Sequence, residues 1–364
     1  MARATYAYQP DYAVPPGDIL VEHLEALQMS QAELARRCRR SPKLISEIVS
    51  GKASVEPATA VQLERALGLD ARIWLGIEAD YRLHLQRKEE VEEARNQQAW
   101  AKNFPVNELV RRGAIQKPST ITESVGVLLR FFGVGSIDGW ENTYGEKLLS
   151  SLAFRHSSSF SSNRYALTTW LRLGEIESDK IITQPFDKQS FVEALKRVRT
   201  LTAERTTDSI GIAQQLCGEA GVALAIVKPL PGTSLHAATR WVSPRKALIQ
   251  LTARHLRDDQ LWFSFFHEAA HVLLHGKRRF FVRTNENQST TEEEQANRWA
   301  ADFLISRRDW RAFSEARHFN AEDVTAFADK QGIAPGIVVG RLQHEERIHW
   351  SNLNHLKAKL KWKG

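Results

Sequence analysis

One segment limits what this chain can fold into more than any other: DDQLWFSFFHEAAHVLLHG, residues 258–276. Read at helical spacing it is apolar nearly all the way round, through Trp262, Phe263, Phe265, Phe266, Val272, Leu273 and Leu274. Such a helix belongs inside a core. Yet it carries His267, Glu268 and His271, and polar groups are costly in an apolar interior unless they are paired. Positions four apart share one helix face, so the two imidazoles can meet at a single metal ion, which accounts for their burial. Glu268, beside them, is placed to take a proton from a water held there. Asp258 reads as the cap that opens this helix and Gly276 as its stop. A helix of this kind needs a sizeable core. The chain offers one: 364 residues, 42% hydrophobic and 26% charged, the composition of a soluble protein of two or three domains rather than a disordered chain.

A second helix reads from TTEEEQANRWAADFL, 290–304. Thr290 or Thr291 can cap it, and its first turn is acidic, which suits a helix N-terminus. Glu293 and Asn297 stand four apart, and Ala296 and Ala300 continue that face with side chains small enough for close approach. Packed against the histidine helix, a carboxylate supplies a third ligand, and the amide one turn later supports a ligand histidine. Two histidines and one carboxylate leave a tetrahedral zinc with an open position, the arrangement of catalytic sites. Turnover also needs an electrophilic stabiliser. His275, Arg240 and His236 are the candidates, although His275 also reads as a basic group complementing the helix C-terminus. Before this pair lie short β-like runs, GVALAIVKPLP, AATRW and KALIQL. They read either as an ordinary three-stranded support or, around 237–241 and 247–251, as an edge for an extended peptide. After Asp258 the pattern is helical to the end. AEDVTAFADKQGIAPGIVVGRLQ reads as a structural helix pair.

The N-terminal third has a different rhythm. Residues 1–16 read as a polar, aromatic arm. Ile19, Leu20, Leu24 and Leu27 give one short apolar face. Ser30 stands three residues before Glu33, a capping box opening a second helix with Leu34, Ala35 and Cys38 inward. Ser41-Pro42 opens a third, because Ser caps and Pro fits the first helical position. Leu44, Ile45, Ile48 and Val49 face inward there and Gly51 ends it. A fourth helix turns Ala60, Leu63, Ala66 and Leu67 inward and ends at Gly68. Two short helices joined by a tight turn lay the second into a DNA major groove. Gln31, Arg40, Ser41, Lys43, Ser46 and Lys52 are the residues placed to touch DNA, with Arg36, Arg37 and Arg39 nearby to neutralise phosphates. Much of the net charge of +7 gathers at 36–52.

QAELARRCRRSPKLISEIVSGK followed by PATAVQLERALGLDARIWLGIEADY resembles the lambda-repressor-like domain of HigA-type antitoxins over residues 15–85. In one respect it departs: Arg39 stands where that turn usually has glycine, and a side chain at positive φ is strained. The second constellation resembles the ImmA/IrrE (DUF955-type) metallopeptidases over about 206–310, with the GIAPGIVVGRLQHE segment continuing to 345. The resemblance implies His267, His271 and Glu293 as Zn²⁺ ligands and Glu268 as general base. Gln295 replaces the second glutamate of that family's E-x-E-A-N, and Trp299 its usual phenylalanine. Glu292 and Glu294 remain competing assignments for the third ligand, since a shifted cap exchanges their roles.

The expected fold is mainly α with a small β-sheet: a lambda-repressor-like helix-turn-helix bundle at 1–85, a helical middle at 86–205, and a zincin-like α+β domain at 206–364. Residues 80–103 read as an exposed, charged connecting helix. SSSFSSN at 157–163 breaks the middle, and its aromatic residues read as core. The expected partners are double-stranded operator DNA bound by a homodimer, and a protein, either a toxin or a repressor. Two distant cysteines, Cys38 and Cys217, form no disulfide framework and fit a reducing compartment. No apolar run is long enough for a membrane helix and the opening residues lack a signal core, so the expected location is cytoplasmic. Three functions compete: a DNA-binding regulator with an active zinc metallopeptidase domain; an antitoxin that neutralises a toxin by binding and represses its own operon, with a catalytically silent zinc domain; and a peptidase whose helix-turn-helix serves only to oligomerise.

Overall fold

The computed structural model describes residues 12–145, 164–204, 208–231, 233, 235–252, 257–277, 280–284, 290–315 and 318–359. Most of the N-terminal arm, the Ser-rich stretch and residues 360–364 lie outside them. The chain forms two compact units, 1–99 and 100–364. Among the described residues no helix is long and apolar enough to cross a membrane.

In the first unit, α1 (Pro16–Ala26), α2 (Gln31–Arg37), α3 (Pro42–Val49), α4 (Pro57–Leu67) and α5 (Ala71–Asn96) enclose one core. Leu20, Leu34, Ile45, Leu63 and Trp74 are its most buried members. The caps act as their residue types dictate. Ser30 Oγ accepts from the Glu33 amide and Ser41 Oγ from the Leu44 amide, each at 3.1 Å. Arg39 holds the left-handed turn between α2 and α3 at φ 51°, so the turn keeps its geometry without glycine. Leu27 is not part of the inner face: α1 stops at Ala26 and Leu27 is exposed. The charged stretch after Asp80 is the second half of α5 rather than a separate helix. Inside that helix Glu78 is buried, accepting from the Val55 amide at 3.0 Å and pairing with Arg82 at 2.6 Å. Gly17 allows α1 to touch α3, because a Cβ there would overlap the carbonyl oxygens of Ile48 and Val49.

The second unit begins with α6 (Val106–Arg111), α7 (Ile121–Phe132), α8 (Ile137–Tyr144) and α9 (Arg164–Lys180). Their aromatic residues are core, with Trp140 stacked on Tyr165 at 5.4 Å and edge-on to Phe104. Next come α10 (Lys188–Glu204), α11 (Ser209–Glu219), β1 (Val222–Val227), β2 (Leu235–Ser243), β3 (Lys246–Thr252), α12 (Asp258–Leu274), β4 (Phe281–Thr284), α13 (Thr291–Leu304), α14 (Arg307–Ser314), α15 (Ala321–Gln331) and α16 (Pro335–His344). The strand order is β1-β3-β2-β4, with β1 parallel to β3 and the other pairs antiparallel.

This order corrects two expectations. The chain is not helical throughout after Asp258, since β4 adds a fourth strand. And β2 and β3 are the inner strands, so residues 247–251 of β3 and 237–239 of β2 are paired on both sides. The two faces separate by the period of two that a strand imposes. Val222, Leu224, Ala237, Ile249 and Leu251 pack with Phe265 and Phe266 of α12. On the opposite face Gln250 donates to Trp170 O at 2.7 Å and Arg240 to Leu171 O at 2.7 Å, both on α9. The sheet thus lies between α9 and α12. Helix α12 begins at Asp258, with Arg257 rather than Asp258 at its cap position, and ends at Leu274, before Gly276. Behind it, α15 and α16 pack as a helix pair into the same core through Val324, Ala328, Ile337 and Leu342. The C-terminal segment returns to the start of α12, where Lys357 pairs with buried Asp259 at 2.5 Å.

Gly17→Ala is expected to destabilise the first unit by about 1–3 kcal/mol through overpacking. Gly76→Ala on α5, where a Cβ meets nothing within 4 Å, should instead stabilise it by about 0.5–1 kcal/mol. Urea unfolding of the full chain, with hydrogen exchange of the α1–α4 amides as the readout, checks both signs.

Candidate functional site

Helix α12 presents His267 and His271 on one face, a turn apart. Thr290 caps α13, its Oγ1 accepting from the Glu293 amide at 3.3 Å. Thr290, not Thr291, is therefore the cap, and this sets the helical phase that aims Glu293 at α12. Ala296 and Ala300, both fully buried, let the helices approach.

The result is a tight cluster. Glu293 Oε2 lies 3.0 Å from His267 Nε2, and Oε1 lies 3.4 Å from His271 Nε2. The two Nε2 atoms are 3.1 Å apart. His267 is 0% exposed, Glu268 1% and His271 2%, so the cluster lies inside the protein. It is Glu293, among its run of acidic residues, that joins the two histidines in a group able to hold a metal ion.

The outer contacts decide which way the rings face. Asn297 Oδ1, 2.8 Å from His267 Nδ1, can only accept, so Nδ1 carries the proton and Nε2 turns its lone pair inward. His271 Nδ1 meets His275 Nδ1 at 2.9 Å, and His275 Nε2 meets Gln295 Oε1 at 3.3 Å. With the amide oxygen accepting from His275, that ring accepts from His271, and the second Nε2 lone pair also turns inward. His275 thus supports His271 rather than only closing the helix, and Gln295 completes the chain of bonds. The His271 ring stacks on Phe281 of β4 at 3.8 Å.

Burial depresses both imidazole pKa values, which disfavours protonation, although the bonds to Glu293 work in the other direction. For Glu293 burial acts to raise the pKa, but the two histidine contacts outweigh it and hold the group well below the usual carboxylate range. Two lone pairs and an ionised carboxylate therefore face one another across about 3 Å, in a place where imidazolium is disfavoured. A divalent cation is the partner this donor set fits. Atoms about 2.0–2.1 Å from a tetrahedral zinc lie about 3.3 Å from each other, close to the spacings seen.

Glu268 faces the sheet side of the cluster. Thr239 Oγ1 on β2 donates to its Oε2 at 2.5 Å. Burial pushes the Glu268 carboxyl up to about 8. Sequence reasoning missed Thr239, Phe281 and Arg283. Thr239 pairs with Phe281, and Ala237 with Arg283, across β2 and β4, so these residues share the sheet face beneath α12. The alternating FFVRT was the available signal. Of the proposed stabilisers, Arg240 turns to the opposite face, donating to Leu171 O and lying 3.4 Å from Glu175. His236 lines a cavity beside the cluster, together with Phe263 and Asn297.

In the other unit, Ser41, Lys43, Ser46 and Lys52 are exposed along and just after α3. Ser41 is also its cap, and Lys43 lies 3.7 Å from Glu47. Gln31 opens α2 and is half-buried. Arg40 is engaged within the unit, donating to Gln62 Oε1 at 2.7 Å. Arg36 and Arg37 both pair with Glu33.

Comparison with known proteins agrees with this division. Residues 20–74 match the helix-turn-helix family, and residues 227–343 match the IrrE N-terminal-like domain of the M78 peptidase family. The uncharacterized HTH-type transcriptional regulator YddM of Escherichia coli is 35% identical over 63 residues, 17% of this chain and 67% of that protein. The chain belongs to the helix-turn-helix regulators. Virulence-associated protein I of Dichelobacter nodosus is also 35% identical, over 21% of this chain and 72% of its own length. A solved addiction module antidote protein of the HigA family from Coxiella burnetii is 26% identical over 23% of this chain and 91% of its own, with a TM-score of 0.22. This helix-turn-helix regulator therefore carries a peptidase-family domain behind its first unit.

Thr239→Val keeps the side-chain shape and removes the donor, leaving the Glu268 carboxyl buried without it. Its expected cost is about 1–3 kcal/mol, read from the thermal or urea midpoint of the second unit. An unchanged midpoint would show that the Glu268 carboxyl gains nothing from Thr239.

Proposed function

We propose that this protein is a cytoplasmic DNA-binding transcription regulator of the antitoxin type, whose second unit is a zinc metallopeptidase acting on a peptide bond of a protein partner. The observation that carries the reading is the buried convergence of His267, His271 and Glu293 with Glu268 beside them. His267, His271 and Glu293 would hold Zn²⁺, and the ion would supply a Lewis acid for peptide hydrolysis. Asn297 fixes the ring of His267, and His275 with Phe281 fixes that of His271. Glu268 is the general base: Thr239 occupies its Oε2, so Oε1 is the oxygen left to take a proton from water and return it to the departing amine.

In the first unit α3 is the recognition helix. Lys43 and Ser46 face outward near its start, where base edges are read, and Lys52 and Arg39 lie close enough to serve the phosphates. A homodimer on a two-fold operator is the arrangement that suits such a unit. The protein partner is a toxin or a repressor. The competing reading, an antitoxin that binds its toxin and represses its own operon with a silent zinc domain, predicts that Glu268→Gln leaves biological activity intact.

Metal analysis of purified full-length protein should give one zinc per chain. His267→Ala should lose it, and Asn297→Ala should weaken metal affinity by about 10–100-fold. Glu268→Gln should retain zinc and lose cleavage of a partner. Sub-stoichiometric metal in freshly prepared protein counts against the site, and cleavage surviving Glu268→Gln counts against the base.

The DNA reading is tested on the segment immediately upstream of the chain's own reading frame. Binding there should weaken steeply with salt. Lys43→Ala should lower affinity and reduce the slope of log K against log salt by about one. Binding indifferent to salt and to Lys43 would leave the helix-turn-helix an oligomerisation device.

A further inference from the structure

Beside the metal cluster lies a cavity of about 730 Å³. It adjoins the site at Asn297, which holds His267, and at Phe263, whose ring centroid is 6.4 Å from the His267 ring. Its acidic lining is already neutralised. Asp259 is paired with Lys357 at 2.5 Å, and Glu345 accepts from Trp310 Nε1 and Arg341 Nε, each at 2.9 Å. Arg341 is committed as well, donating to the carbonyls of Ala301 and Ile305.

Arg283 is not committed. It comes from β4 on the sheet face beneath α12, lies over the Phe263 ring at 5.7 Å, and lines the cavity. Its Nη1 is buried and, among the described residues, has no hydrogen-bond partner. A guanidinium carries five N–H donors and no acceptor, so a buried one without a partner is costly. Arg298, exposed on α13, adds a second positive group at the cavity wall. Among the described residues the unpartnered donor at this wall is thus Arg283 Nη1, beside one unpartnered acceptor, Asp259 Oδ1, whose carboxylate already holds Lys357. An unpartnered guanidinium donor points to an anionic oxygen as partner.

We propose that the cavity is the substrate-selecting cleft of the peptidase site and that Arg283 takes the carboxylate of an acidic side chain close to the scissile bond. The proposal rests on the peptidase reading and deepens it: the preferred substrate is an acidic peptide segment. A planar fork matches a carboxylate with two parallel hydrogen bonds. A site built around such bonds discriminates against the uncharged amide of the same shape, because the amide leaves the buried donor poorly satisfied.

The test uses the full chain carrying Glu268→Gln, which holds peptide without turning it over. The probes are two pools of acetylated, amidated dodecapeptides, degenerate except for one central position fixed as Glu or as Gln. The Glu pool should be retained about tenfold or more over the Gln pool. Adding Arg283→Gln should bring that ratio to about one by lowering retention of the Glu pool. Arg283→Lys, which keeps the charge and loses the fork, should give an intermediate ratio. A ratio unaffected by Arg283→Gln overturns the proposal, as does equal retention of both pools or retention of neither. Cleavage of the same pools by the unsubstituted chain separates the two ideas. Cleavage without acidic preference overturns the cleft and leaves the peptidase standing. Acidic preference in binding without any cleavage removes the peptidase and leaves the anion-selective cleft.

Discussion

The second unit is arranged around one difficulty: ionisable groups held inside a helix that is apolar nearly all round. His267, Glu268 and His271 are almost entirely withdrawn from water, and each has been given a specific partner. Asn297 takes one ring nitrogen of His267, His275 takes one of His271, and Thr239 takes one oxygen of Glu268. Two of these supports come from other elements, α13 and β2, and the third from the C-terminal cap of α12 itself. The site is therefore a property of the packing of α12 against α13 and the sheet, not of the HExxH segment alone. Glu293 depends in turn on the phase of α13, which the Thr290 cap sets.

The sheet separates two kinds of work. On one face, apolar residues seat α12, and Thr239, Phe281 and Arg283 are turned to the same side. On the other, Gln250 and Arg240 reach the backbone of α9, and Gly174 leaves room for the Gln250 side chain. A buried strand residue with a polar end thus ties the helices of 164–180 to the sheet. The first unit uses such reaches at Glu78, which holds the Val55 amide, and at Arg40, which holds Gln62. Its helices are opened by caps a few residues long, and lysines, serines and arginines are exposed along and around α3.

How far the sequence could be read follows from this contrast. Ser30, Ser41 and Gly68 act within one helical turn, so their roles can be seen locally. The HExxH spacing and the Glu293–Asn297 pair are also local, and both fall where the helical period puts them. Thr239 and Phe281 could not be found that way. Their meaning comes from pairing between β2 and β4, and β4 is four residues long, too short to announce itself beside a strongly apolar helix. Arg240 and Arg283 make the point most sharply. Both are arginines on strands near the site, and only the register decides that the first serves α9 while the second lies beneath α12.

The same separation of local from distant contacts sets an order of assembly. The capping bonds of α2 and α3 join residues three apart, whereas Thr239 meets Glu268 across 29 residues and Asn297 meets His267 across 30. Loop closure must come before contacts of the second kind form, and chains dominated by them fold slowly. On a ribosome the helix-turn-helix emerges first and closes on itself at once. The histidine helix must wait for α13 to be made, with its polar groups meanwhile open to water or to a chaperone. A newborn chain therefore has a folded helix-turn-helix before His267, His271 and Glu293 have been brought together.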